Sequence, residues 1–265
     1  MIKKNQILHG AKLVNRLLHL LKPYIITLIV IVLVWKGLSF LLSKVIFPAP
    51  EDVIGAFGLA LFTKSFWFHF LASGFRAFSA MVIAWLVGFP LGILMGYYKK
   101  VDQILSPFIY LTYPVPKIVL LPIVLLLFGL GDLSKILIIS LILGYQVLVT
   151  TKDGVKSVPK EYLKSIHSLG ASNWQVMREG LIPAALPYGF TALRLNSGVS
   201  VAVLFFVESF ATETGLGYLI MDAWGMMAFD DMFIGIFGMS LLGVFINEIV
   251  NLLEKQFCPW FYNLN

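Results

Sequence analysis

Residues 157–187 read Ser157-Val-Pro-Lys-Glu-Tyr-Leu-Lys-Ser-Ile-His-Ser-Leu-Gly-Ala-Ser-Asn-Trp-Gln-Val-Met-Arg-Glu-Gly-Leu-Ile-Pro-Ala-Ala-Leu-Pro187. Long apolar runs flank this stretch on both sides, yet it carries Lys160, Glu161, Lys164, Arg178 and Glu179. Charges are expensive to hold in lipid, so the stretch belongs outside the bilayer. From Val158 to Leu169, the residues Leu163, Ile166 and Leu169 recur at helical spacing and give one apolar stripe. Gly170 permits a turn that a side chain resists. Ser172 or Asn173 suits the cap of a second short helix, with Trp174, Val176, Met177 and Leu181 as its apolar face. Pro183 and Pro187 stand where a further helix begins. The order of residues describes a compact, basic helix–turn–helix knob joined directly to apolar segments. Such a knob either docks in a partner's groove and passes on rigid-body motion, or lies on anionic lipid as an amphipathic segment. The residues alone leave both open.

Composition sets the class of the remainder. Of 265 residues, 59% are hydrophobic and 13% charged, with a mean hydropathy of +0.88. Soluble domains are roughly 45–50% apolar and about 25% charged. Only helices and closed barrels satisfy the backbone in lipid, and these apolar runs are too long and alternate too little for barrel strands. The expected fold is an all-α polytopic membrane protein with about six transmembrane helices. They fall near 24–46, 72–98, 104–128, 133–150, 184–211 and 232–253, each near the roughly 20 residues a bilayer requires. The first is longer than a signal-peptide core and no small-residue cleavage site follows it, so it reads as a retained span.

Orientation follows from Lys and Arg. Residues 1–23 carry Lys3, Lys4, Lys12, Arg16 and Lys22 with no acid, and read as a basic cytoplasmic segment. Residues 24–265 then form one membrane domain with its loop at 151–183. Six spans place Lys99, Lys100, that loop and the C-terminus with Lys255 on the same side. The opposite side receives Glu51, Asp52, Asp132, Glu213, Asp222, Asp230 and Asp231. This is the positive-inside bias with both termini cytoplasmic, and it accounts for the net charge of +6 without nucleic acid. Segments 51–68 and 217–229 read as short extracytoplasmic amphipathic stretches. Cys258 is alone, and His9, His19, His69 and His167 have no ligand spacing, so no disulfide and no metal site is expected. There is no Walker loop and no nucleophile elbow. If ATP is used, a partner holds it.

Polar residues inside spans point to a pathway. In the fifth span, Arg194, Ser197, Ser200, Leu204 and Glu208 fall within an arc of about 120° at 100° per residue. Charged residues in a membrane usually face a bundle interior or a wet cavity, so this arc is expected to look across a pore, with Phe206 on the lipid or packed side. Arg194 and Glu208 are about 21 Å apart along the axis, so they do not pair within the helix; the alternative is that each pairs with a neighbouring span or, for Arg194, sits near the cytoplasmic headgroups. The third span is interrupted by Pro114, Pro116 and Pro122, and broken helices tend to line cavities. Lys117 in the break is expected to snorkel. Lys36 and Arg76 are expected to snorkel or to make structural pairs. Gly88, Gly92 and Gly96 form a series that lets helices approach closely.

The loop resembles the cytoplasmic loop of permease subunits of binding-protein-dependent ATP-binding-cassette importers, Glu-Ala-Ala, three residues, Gly, nine residues, Ile-x-Leu-Pro. Gly170 and Pro183 keep the pattern's separation, while Lys164 takes the Glu position, Ser165 and Ile166 the Ala positions and Gly180 the Ile position. Glu161 stands one turn earlier. Over roughly residues 45–260 the chain resembles the nitrate/sulfonate/taurine type, through Phe47-Pro-Ala-Pro50, Gly88-Phe-Pro-Leu-Gly92, Tyr113-Pro-Val-Pro-Lys-Ile-Val-Leu-Leu-Pro122, Phe128-Gly-Leu-Gly131, Ala192-Leu-Arg194, Glu208, Gly215-Leu-Gly-Tyr218 and Pro259-Trp260. The resemblance implies a homodimer with the pathway between the copies, two cytoplasmic ATPase subunits, an extracytoplasmic substrate-binding protein and a bacterial or archaeal plasma (inner) membrane. ATP and magnesium would sit in the partner subunits, with no cofactor and no enzymatic step in this chain. It assigns ATPase coupling to Glu161, Lys164, Ser165, Ile166, Gly170, Ala171, Ser172, Asn173, Trp174 and Pro183. The cargo stays open among sulfonates, nitrate and aromatic vitamin precursors. A secondary transporter, or another channel or scaffold subunit, is the alternative; the lack of an inverted repeat and the scarcity of embedded acids count against a secondary transporter.

Overall fold

A computed structural model describes residues 22–23, 25–42, 46–210 and 212–262. Lys3, Lys4, Lys12 and Arg16, which carried the reading of the N-terminal segment, lie outside the described residues. Every regular element among the described residues is helical. α1 (Ile25–Leu41) and α2 (Pro50–Ala60) lead to α3 (Lys64–Tyr97), α4 (Lys99–Thr112), a 3₁₀ turn (Lys117–Leu120), α5 (Leu121–Phe128) and α6 (Asp132–Ser157). α7 (Lys160–Ser168), α8 (Asn173–Gln175), a π-helical turn (Val176–Leu181) and α9 (Ile182–Glu208) follow. α10 (Leu216–Gly225), α11 (Phe229–Phe257) and α12 (Pro259–Tyr262) complete the described residues.

Among the described residues four helices are long and apolar enough to cross a membrane, and a fifth crossing is made if α4 and α5, bent by 84°, count as one broken span. The break is where Pro114 and Pro116 remove backbone donors. Pro122 does not break anything: it sits in the first turn of α5, where a missing N–H is tolerated. α1 is a shorter apolar helix, at about the lower limit of 17–25 residues for a crossing.

Three boundaries differ from the sequence reading. α3 starts at Lys64 rather than 72, because Thr63 caps it, its Oγ1 accepting from Phe66 N at 3.3 Å; residues 64–68 are therefore its first turn, and only α2 is separate. α6 runs on to Ser157. Finally, Pro183 does not restart a helix, since α8, the π turn and α9 form one continuous helix, Asn173–Glu208. The π turn re-registers the backbone ladder directly ahead of Pro183, where an α-helix loses a donor.

The core is a bundle of α3, α6, α9 and α11, in which Ala77, Ala80 and Ala84 meet Ile138, Ile139 and Leu143, with Leu204, Leu242 and Ile246 completing it. The closest seam is α3 on α6. A Cβ added at Gly88 would stand 2.8 Å from the Gly144 carbonyl oxygen, and one at Gly92 2.7 Å from that of Leu148. These glycines bring the two backbones together as the small-residue series implies.

Candidate functional site

The knob between α6 and α9 is built as a turn of two short arms. Gly170 has φ +87°, the left-handed region that favours glycine, and a Cβ there would meet nothing within 4 Å. The residue is required by conformation, not by crowding. Ser172 begins the second arm with a capping box: Gln175 N donates to Ser172 Oγ at 3.3 Å and Ser172 N to Gln175 Oε1 at 2.8 Å. Val176, Gly180 and Leu181 are buried, and Ile166 of α7 leans on Gly180, its Cδ1 3.0 Å from where a Cβ would be.

The apolar faces divide differently from the sequence reading. Leu169 is 89% exposed and Trp174 65%, whereas Leu163 and Ile166 are half-buried. Glu161, Lys164, Ser165, Ser172 and Asn173 are also exposed; Ala171 and Pro183 are half-buried. Leu169 and Trp174 therefore stand out at the tip instead of anchoring the knob. α7 and α8 present an outward surface with both apolar and charged groups, on an arm continuous with α9.

The polar arc of α9 faces inward, which corrects the expected rotation of this helix. Ser200 and Leu204 are fully buried, and Ser197 and Glu208 nearly so. Ser197 Oγ donates to the Arg194 carbonyl and Ser200 Oγ to the Ser197 carbonyl, both at 2.7 Å. Serine hydroxyls satisfied on their own helix need no water, and small residues let neighbours close in. The exposed side of α9 carries Leu195, Gly198, Val199, Ala202 and Phe206. Arg194 pairs with Glu254 of α11 at 2.9 Å, so both charged members of the arc take the alternative of pairing with another span.

Glu208 is the centre of a network that the sequence did not reveal. Arg76 of α3 lies 2.6 Å from it, Ser73 Oγ donates to it at 2.8 Å, and Gly217 N at 2.9 Å. Arg76 also reaches Asp132 at the start of α6 at 2.7 Å and the Thr214 carbonyl at 2.7 Å. One arginine thereby ties α3, α6, α9 and the approach to α10. At the other end of the bundle, Lys152 of α6 lies 2.8 Å from Asp102 of α4, and Lys156 is 2.5 Å from the same carboxylate. Lys36 pairs with Glu51 at 2.8 Å near the surface.

At the α4–α5 break, Pro114 and Pro116 are exposed. Lys117 does not snorkel outward: its Nζ stands 4.1 Å from the centroid of the Tyr145 ring on α6. The break and the outer part of α9 share a cavity through Lys117 and Val203. No group of His, Cys, Asp and Glu suited to a metal ion occurs among the described residues.

The architecture has known relatives. The chain is 34% identical to the taurine transport system permease protein TauC of Escherichia coli (strain K12), over 88% of each chain. It is 28% identical to the aliphatic sulfonates transport permease protein SsuC of Bacillus subtilis (strain 168), a name given there as putative, over 87% of this chain and 84% of that one. Among solved structures, an inward-facing form of the MetNI methionine ABC transporter shares the fold, with a TM-score of 0.59 over 71% of this chain and 93% of that one, at 16% identity. The model of the family "Binding-protein-dependent transport system inner membrane component" matches residues 88–258, a stretch holding the end of α3, the broken span, the knob and the helices α6, α9 and α11, and the chain belongs to that family.

Proposed function

We propose that this chain is the membrane-spanning subunit of an ATP-driven importer and works as a homodimer in a bacterial or archaeal plasma membrane. Both termini and the knob lie in the cytoplasm, two ATPase subunits dock on the two knobs, and an extracytoplasmic binding protein delivers cargo. ATP and magnesium belong to the ATPase subunits, and this chain makes no covalent step. The observation that carries the reading is the continuity of the knob with α9 through the helix Asn173–Glu208. A push on exposed Trp174 reaches the membrane along one unbroken helix, as shear or hinge motion requires. The exposed face of α9, with Leu195, Val199, Ala202 and Phe206, then lines the passage beside the α4–α5 break, and the membership of the chain in an importer family supports this use.

The test is capture of a co-expressed ATPase subunit by the purified chain, with uptake measured in vesicles. Gly170→Val puts a β-branched residue at φ +87° with open space around it, so it strains the turn by more than about 1–2 kcal/mol and leaves the bundle untouched. Trp174→Ala removes the exposed ring. Both variants are expected to insert and to lose most ATPase capture. Undiminished capture and uptake in both would overturn the assignment.

A further inference from the structure

The α4–α5 break opens into a cavity of about 360 Å³ lined by Tyr113, Lys117, Ile142, Tyr145, Gln146 and Val203. Tyr145 and Gln146 stand midway along α6, between Asp132 and Ser157, which sets the cavity near the middle of a spanning helix. Lys117 Nζ lies 4.1 Å from the centroid of the Tyr145 ring and 5.7 Å from that of Tyr113. It donates to the Thr112 and Tyr113 carbonyls at 3.2 Å and to the Val115 carbonyl at 3.4 Å. All of these partners are dipoles or ring faces. Among the described residues no carboxylate comes within ion-pair distance of Lys117.

The other cations set into the bundle differ. Arg76, Lys152 and Arg194 each face a carboxylate. Lys135 is sealed at 1% exposure, donates to the Leu130 carbonyl at 2.7 Å and has Asp132 and Glu208 nearby. Lys117 combines a full charge, long contacts and an adjoining cavity. Gln146 adds an amide that lines the same cavity and makes no side-chain hydrogen bond among the described residues. An uncompensated ammonium at membrane depth is expensive, and a charge-assisted bond to an anion is shorter and about twice as strong as a neutral one.

We propose that this cavity is a cargo site, in which Lys117 and Gln146 bind the anionic group of a small organic anion in passage while Tyr113 and Tyr145 hold its apolar part. The proposal rests on the importer reading and names the cargo class for it. The volume lies at the small end of the roughly 300–1,000 Å³ of ligand pockets. A competing role is purely structural: Pro116 has no N–H for the Thr112 carbonyl, and Lys117 supplies one. The two roles differ in what they do to a ligand.

The experiment uses the full chain in phosphatidylcholine nanodiscs, free of anionic lipid, titrated with benzenesulfonate and with its uncharged isostere benzenesulfonamide. Benzenesulfonate is expected to bind about tenfold or more tightly than the sulfonamide. Lys117→Met erases that preference and Lys117→Arg keeps it. Gln146→Leu, which touches no backbone carbonyl, weakens sulfonate binding severalfold with thermal melting unchanged. Equal binding of the two probes to the unaltered chain, or an intact preference in Lys117→Met, overturns the proposal. Should Lys117→Met not fold, unchanged sulfonate binding in Gln146→Leu overturns it instead. No ATPase is present in this assay, so its failure leaves the coupling test of the importer reading standing, and the converse holds.

Discussion

Gly180 and Ile166 hold positions where the family loop pattern has Ile and Ala, and the structure sets them against each other. A Cβ on Gly180 would lie 3.0 Å from Ile166 Cδ1 and 3.7 Å from Tyr162 Cε1. The two departures from the pattern exchange a large and a small residue across one contact. Gly180→Ala adds only that Cβ, against the far end of a flexible side chain. The shift it demands is small, and replacing glycine within a helix gains about 0.5–1 kcal/mol, so this variant is neutral or slightly stabilising. Gly180→Ile adds three further carbons into volume that Ile166 already fills, and overpacking costs about 1–3 kcal/mol. Ile166→Ala alone removes side-chain contacts from a half-buried site, below the roughly 2–5 kcal/mol of a fully buried one. Combined, the two large changes fit each other, with a coupling energy of about 1–3 kcal/mol. The assay is thermal melting of the purified chain together with ATPase capture. Gly180→Ile should melt several degrees lower, at roughly 2–4 °C per kcal/mol, and Gly180→Ile with Ile166→Ala should recover most of the loss. If the double variant is as unstable as the sum of the singles, α7 does not rest on the π turn and the knob does not move as one piece.

Ala202 is exposed on α9 and Ser200 is fully buried, so Ala202→Trp is expected to abolish vesicle uptake at normal complex yield, whereas Ser200→Trp lowers the yield itself by overpacking; uptake that survives Ala202→Trp would show that this face is not the passage. For topology, a cysteine at Ser172 is expected to react with an impermeant thiol reagent only from the cytoplasmic side, and one at Met226, 71% exposed, only from the outside. Cys258 interferes little, because burial, reinforced by the Glu254 carboxylate, pushes its thiol up to about 11, and it is 0% exposed. The reverse labelling pattern would refute the orientation.

The elements that sequence made legible are those whose cause is local. Apolar length gave the long helices, Pro114 and Pro116 gave the break, and Gly170 with Ser172 gave the turn of the knob. Each of these follows from the chain's own dihedrals and donors within a few residues. The continuous helix through Pro183 was not legible, because it depends on a π turn whose buried face, Val176, Gly180 and Leu181, is fixed by what packs on it.

The rotation of α9 failed for a related reason. A serine and glutamate stripe on a spanning helix implies a wet face only if nothing inside the protein satisfies it. Here Arg76 approaches Glu208 from 132 positions earlier in the chain, and Glu254 approaches Arg194 from 60 positions later; no periodicity argument carries that information. Polarity inside a span is thus a weak guide to a pathway, since the membrane forces most such groups to pair. The better discriminator is what pairing leaves over. Arg76, Arg194 and Lys152 are met by carboxylates on other helices and act as ties between them. Among the described residues Lys117 is met by carbonyls and rings and by no carboxylate at ion-pair distance, beside an open cavity that the amide of Gln146 also lines. The sequence does not reveal this, because local spacing records where charges are and not which of them are answered.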